Sequence, residues 1–301
     1  MKIERKFLCG NILRKIFFAL VFAVMLVYVV SILVLLAYGL VNSLKLPLQF
    51  NQSTISLPPG APSEWAWSNY LNAFKEVFVP YPGVSGGKVY LPEQLFNSVL
   101  YAAGSAFFAT LIPCITAYGC AKFPCKFSKL IYTVVIVVMG LPIVGALPSE
   151  ILMAKRLGLY DHIWGLWLMK ANFLGMYFLV FHAAFAATPK DFSEAAKIDG
   201  ASNWRILFQI ILPVVKNIFF SIMLLKFIEF WNDYQTTLIY LPHHPTAAYG
   251  IYYFSFTAGT TNSWPPMKIT GSMLLLIPVL LVFLCFHNRL IGNVSMGGIK
   301  E

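Results

Sequence analysis

The sequence predicts an all-α integral membrane protein with six transmembrane helices, and three observations lead there. Hydrophobic residues fill 58% of the 301 positions and charged residues only 11%, with a mean hydropathy of +0.71, a balance foreign to water-soluble domains. A hydrocarbon core about 30 Å thick takes about 20 apolar residues per helix, and runs of that size recur at 16–41, 96–121, 130–153, 163–187, 214–241 and 269–286. Basic residues, finally, gather in alternate connections between these runs.

The first run is longer than the roughly 7–15 apolar residues of a signal peptide, and AYGLVNS is a poor cleavage site, so it is expected to be a retained anchor helix. Cys9, in FLCG, precedes the run, the wrong order for a lipoprotein cysteine. The connection 42–95 opens with turn chemistry at Leu57-Pro58-Pro59-Gly60-Ala61-Pro62. Ser63 can then cap a helix whose apolar residues Trp67, Tyr70, Leu71, Phe74, Val77 and Phe78 recur at three- and four-residue intervals. Such an aromatic face suits the outer membrane surface, the helix bundle or an external partner.

GVSGGK, 83–88, fails as a phosphate loop. Pro82 stands where the leading glycine is required and Val89 where Ser or Thr would reach Mg. ATP, if used, must be bound by another chain. The third run carries Pro142 and Pro148 and the sixth Pro278, breaks that a bundle tolerates when neighbours or water satisfy the freed carbonyls.

Lys2, Arg5, Lys6, Arg14 and Lys15 precede the first run, Lys122, Lys126 and Lys129 follow the second, and Lys190, Lys197, Arg205 and Lys216 follow the fourth. The positive-inside rule therefore puts both termini in the cytoplasm. Basic links at the lipid surface account for the net charge of +10 without nucleic acid. Cys9, Cys114, Cys120, Cys125 and Cys285 form no CxxC pair and avoid the external connections, so neither a metal cluster nor a disulfide is expected. The adjacent His243 and His244 are expected to be loop residues rather than metal ligands, and no arrangement suggests catalysis.

The link after the fourth run reads EAAKIDGASNWRILFQIILP over 194–213. Pro189 suits a helix start, Gly200 allows a left-handed end, and Ser202 or Asn203 can cap a second short helix reaching Leu212 before Pro213. Ala195, Ala196 and Ala201 keep the surface low, while Glu194 and Asp199 offer carboxylates to Arg or Lys. This elbow is either a solvated link or a docking element. In the fifth run Lys226, Glu229 and Asp233 fall on one helical face beside Trp231, Asn232 and Tyr234. They form either a structural ion pair with interhelical bonds or the lining of a translocation path, to which Lys170 and Asn172 are weaker additions.

Glu194, Ala195, Ala196, Asp199, Gly200, Ala201 and Pro213 resemble the EAA signature of ABC importer permeases. KRLGLYDHIWGL at 155–166, FHAAFAATPKDFSEAAKIDGAS at 181–202 and FIEFWNDY at 227–234 look like the carbohydrate branch of that family, the maltose-permease type. The similarity spans roughly 96–286, and the long connection before it departs. The resemblance implies a type I ABC importer permease fold, with a permease core over 96–301 behind a segment 1–95 that holds the N-terminal tail, the first span and the external loop. It implies a bacterial plasma-membrane subunit that binds no cofactor itself, ATP and Mg being held by two ATPase partners. A homologous second permease, an external or periplasmic solute-binding protein and a carbohydrate cargo complete the set. The elbow, 189–213, would be the coupling helix, with Glu194 as polar contact, Ala195 and Ala196 as close packing and Gly200 as the turn. A permease of the same fold for glycerol phosphate or another solute, and a polytopic enzyme acting on lipid-linked sugars, are the alternatives.

Overall fold

The computed structural model describes residues 2–141, 145–189, 191–257 and 264–294. The chain divides into two compact units, Met1–Ala73 with Thr260–Leu274, and Phe74–Gly259 with Leu275–Glu301. In the first, α1 (Lys2–Ser43) is a single helix of 42 residues. Between Ile16 and Leu35 its large apolar side chains are exposed on every side, as suits a helix whose solvent is lipid rather than water.

The last carbonyls of a helix lack partners within it, and side chains supply them here. Ser43 Oγ donates to Leu40 O at 2.7 Å, and Asn69 Nδ2 and Thr270 Oγ1 donate to Ser43 O at 2.8 and 3.1 Å. Gly39 admits Met273, since a Cβ there would stand 2.7 Å from Met273 Cε. Lys45 is buried, its ammonium donating to Asn42 Oδ1 and Ser53 O at 2.9 Å each. Burial lowers its pKa.

After the short α2 (Pro47–Gln52), Ser63 lies in a 3₁₀ turn, Pro62–Glu64, rather than capping a helix. The Trp67 indole, donating to Pro62 O at 2.8 Å, fastens that turn. The helix expected from Ser63 begins later, as α3 (Ser68–Glu76).

The second unit corrects the all-α expectation. Strands β1 (Phe78–Pro80) and β2 (Lys88–Tyr90) pair antiparallel, with Val79 opposite Val89. GVSGGK is their turn, and Gly83 and Gly86 take the positive φ values that it needs, 76° and 77°. The central element is α4 (Leu91–Lys122), which packs against α7 (Ile163–Lys170), α8 (Met176–Ala187) and α11 (Leu212–Trp231). Its buried Ala102, Ala106, Ala109 and Ala117 let those helices approach closely.

Two other predicted runs are divided. The run 130–153 becomes α5 (Lys126–Gly140) and α6 (Leu147–Arg156), with Pro148 in the first turn of α6 and Pro142 outside the described residues. The run 163–187 becomes α7 and α8 because Asn172 intervenes: its Oδ1 accepts from Leu174 N–H at 2.8 Å, a local turn that competes with the helical ladder. Past α9 (Asp191–Ile198) the chain enters one helix over Asn203–Trp231, made of α10 (Asn203–Arg205), a π-helical segment (Ile206–Ile211) and α11. The expected stop at Pro213 does not occur. The wider π turn, closed by Leu212 N–H to Leu207 O, resets the register just ahead of the proline.

The fifth run also ends early, at Trp231, because Asp233 caps α12 (Tyr234–Tyr240) by accepting from Thr236 N–H at 2.9 Å. Next come α13 (Ala247–Phe256) and α14 (Pro265–Val294). Among the described residues four helices are long and apolar enough to cross a membrane: Arg14–Ser43, Leu91–Lys122, Asn203–Trp231 and Pro265–Phe286.

Candidate functional site

Two places gather the polar residues singled out in the sequence. The first is a cleft of about 310 Å³ walled by Ala109 and Pro113 of α4, Lys170 at the end of α7, the extended link 171–175, Tyr177 of α8, and Lys226, Glu229 and Phe230 of α11. The break after Lys170 puts irregular backbone along the cleft. Lys226 Nζ donates to Glu229 Oε2 at 2.8 Å and stands 5.1 Å from the Tyr177 ring centre and 5.6 Å from that of Phe230. Lys170 reaches the same Phe230 ring at 5.6 Å and donates to Thr236 Oγ1 at 3.2 Å.

Asp233 lies behind this wall. It stands 3.9 Å from Lys170 Nζ and accepts from Tyr101 OH at 2.9 Å, so one carboxylate joins α4, α7 and the start of α12. The sequence pattern put it on one face with Lys226 and Glu229, but the helix ends before it. Trp231 is 1% exposed and donates to Leu275 O at 3.1 Å, which makes it part of the packed interior. Asn232 donates to Ile228 O of its own helix, and Tyr234 stacks on Tyr252 with centroids 4.4 Å apart. Of the predicted path residues, Lys226, Glu229 and Asn172 therefore share the cleft, and Trp231, Asn232, Asp233 and Tyr234 do not line it. Tyr177 and Phe230, which the sequence did not single out, complete it. Their only sequence signal was position, one turn or less from a charged residue or a helix break.

The second place is the elbow. Helix α9 closes in a Schellman arrangement: Ala201 N–H donates to Ala196 O at 2.9 Å and Gly200 N–H to Lys197 O at 3.0 Å, with Gly200 at φ 76°. Ser202 Oγ then caps α10 by accepting from Arg205 N–H at 3.3 Å. Both features were legible in the sequence, although Lys190 lies outside the described residues. Ala196 is buried against Ile206, Leu207 and Ile211, so α9 is bound to the base of the long helix and that alanine faces inward. Glu194, Ala195, Asp199 and Gly200 are exposed, and Ala201 is half-buried. Ile198, which sequence reasoning missed, is 86% exposed, an apolar side chain one turn from Ala195. Lys122, whose ammonium donates to Thr188 O at 2.7 Å, ties the end of α4 to the end of α8 beside the elbow.

Among the described residues no group of three His, Cys, Asp or Glu is placed to hold a metal ion. His243 turns instead to Asp161.

Comparison with known proteins concerns the chain as a whole. The chain is 26% identical over 294 residues to the diacetylchitobiose uptake system permease protein NgcG of Streptomyces coelicolor, covering 93% of this chain and 88% of that protein. It is 27% identical over 214 residues to the lactose transport system permease protein LacG of Rhizobium radiobacter, 71% of this chain and 77% of that one. A crystal structure of a bacterial ABC transporter involved in the import of the acidic polysaccharide alginate superposes with a TM-score of 0.67 and 20% identity, covering 89% of this chain and 96% of the matched chain. The fold is thus that of a type I ABC importer permease. Residues 96–293, which include the cleft, the elbow and most of the second unit, match the family described as binding-protein-dependent transport system inner membrane component, and the chain belongs to that family.

Proposed function

We propose that the chain is the permease subunit of an ATP-driven oligosaccharide importer, one half of a two-subunit channel. Relatives named as diacetylchitobiose and lactose permeases, matched over most of their length, support the cargo class. In this reading the chain crosses the bacterial plasma membrane six times with both termini in the cytoplasm, α5 with α6 and α7 with α8 each serving as one broken span. Discontinuous helices of this kind occur at the substrate path of transporters. Lys226, Glu229 and Asn172 line that path, and Asp233 and Trp231 brace its wall.

The elbow is the coupling element. ATP and Mg sit on two ATPase partners, a second permease completes the channel, and a solute-binding protein delivers cargo from outside. Glu194 gives the ATPase a polar contact, Ala195 a close one, and Gly200 the turn that aims them, with Asp199 and Ala201 closing the bend. The burial of Ala196 supports a role in holding α9 on the long helix, so that a push on the elbow moves α11.

The test is sugar uptake in cells carrying Glu194→Ala with Gly200→Pro. Uptake should be abolished while the protein still inserts and assembles; undiminished uptake would remove the coupling role.

A further inference from the structure

We propose that Glu229 makes the cleft selective for uncharged sugars: its carboxylate accepts hydrogen bonds from sugar hydroxyls and repels sugars that carry carboxylate or phosphate. The proposal rests on the reading of the cleft as part of the cargo's path.

Two lysines line the cleft, which by composition alone would favour an anion. Both are engaged. Lys226 is held by Glu229 Oε2 and by the rings of Tyr177 and Phe230, and its side chain is 19% exposed. Lys170 is held by Thr236 Oγ1 and the Phe230 ring, with Asp233 behind it. Each lysine thus has its own carboxylate, so neither offers an unpaired cation to an anionic ligand.

What faces the open volume is different. The Glu229 side chain is 54% exposed, and only its Oε2 is bonded to Lys226, so Oε1 is available to a donor. A carboxylate only accepts hydrogen bonds, and a neutral sugar ring is rich in hydroxyl donors. Asn172, which also lines the cleft, uses Oδ1 for Leu174 N–H, and its amide N–H groups can only donate. An acceptor and a donor facing one cleft match the hydroxyl, which is both. Ring stacking contributes less, because Phe230 and Tyr177 already face ammonium groups. At about 310 Å³ the cleft is at the small end of ligand sites, fitting part of an oligosaccharide rather than the whole.

The experiment uses the importer purified with its partner subunits in lipid nanodiscs and records saturation-transfer NMR with two probes, maltotriose and trigalacturonate. Wild type should favour the neutral probe by about tenfold or more, the scale of a like-charge repulsion at a partly solvated site. Glu229→Gln should weaken maltotriose binding and bring trigalacturonate to parity or better, since Lys226 is then uncompensated. Glu229→Asp, which keeps the charge, should retain the exclusion and guards against a folding defect. Equal binding of both probes by wild type, or an unchanged preference in Glu229→Gln, would overturn the charge selection and leave the path intact. Binding of neither probe would overturn the path itself.

Discussion

Asp161 and His243 lie 82 positions apart and are joined twice: His243 N–H donates to Asp161 Oδ1 at 3.0 Å, and the imidazole Nδ1 meets Oδ2 at 2.5 Å. Asp161 is also the non-glycine residue with positive φ among the described residues, at 63°, and its N–H donates to Tyr240 O at 2.8 Å. The Tyr81 ring, in the hairpin turn, meets His243 edge to face at 5.0 Å. One point thereby fastens the α6–α7 link, the loop after α12 and the hairpin.

Asp161→Ala should lower stability by about 2–4 kcal/mol, losing both side-chain bonds and leaving a Cβ residue in the left-handed region. Asp161→Asn should lose less than half of that, because Asn tolerates this backbone and still accepts from His243 N–H. Thermal unfolding of the detergent-purified protein measures both. An Asp161→Ala midpoint equal to wild type would show that the two bonds contribute nothing to stability.

Asp233 should behave as a brace. Asp233→Ala removes the α12 cap, takes away the carboxylate that accepts from the Tyr101 hydroxyl and leaves Lys170 without its carboxylate, a loss of about 2–4 kcal/mol. Tyr101→Phe should cost about 1 kcal/mol alone and little in the Asp233→Ala background. Additive losses in that cycle would mean the two residues act independently.

Ile198→Glu should leave folding unchanged, since the side chain is almost fully exposed. It should nonetheless reduce co-purification of the ATPase by roughly tenfold, the effect of placing a charge in an apolar contact. Full retention of the ATPase would place the docking face elsewhere on the elbow.

Cys125 reports orientation. It is exposed between α4 and α5, and the Ser128 N–H, 3.4 Å from Sγ, holds its thiol pKa below the usual value. More thiolate is then present at neutral pH, so labelling runs faster than at an ordinary thiol and slows as pH falls through the lowered pKa. In a Cys9→Ala background an impermeant maleimide should label inverted vesicles and spare intact cells. The reverse pattern would invert the topology.

The sequence made most of this legible where a signal is local. Apolar length located α1, α4, α11 and α14, and Gly200 and Ser202 announced the two ends of the elbow. It misjudged positions where one polar side chain overrides its neighbourhood. Asn172 and Asp233 each sit in an apolar run that favours continued helix, and each ends it with a single hydrogen bond to a backbone N–H two or three residues ahead. Pairings across the fold left no trace at all: nothing near Asp161 marks His243, and nothing near Asp233 marks Tyr101. GVSGGK was weighed for what its glycines would do around phosphate, whereas valine and tyrosine on the flanks make it a hairpin turn.

The π segment at Ile206–Ile211 has a mechanical consequence. Asn203 and Glu229 are 26 residues apart on one helix, roughly 40 Å of rise, and the hydrogen-bond ladder changes step between them, with Pro213 contributing no donor just beyond. Such a shaft carries thrust along its axis, but torque concentrates at the fault, where a turn can tighten or slacken by a residue without unzipping the rest. The end that holds Glu229 can therefore rotate by a different amount from the end that starts at Asn203.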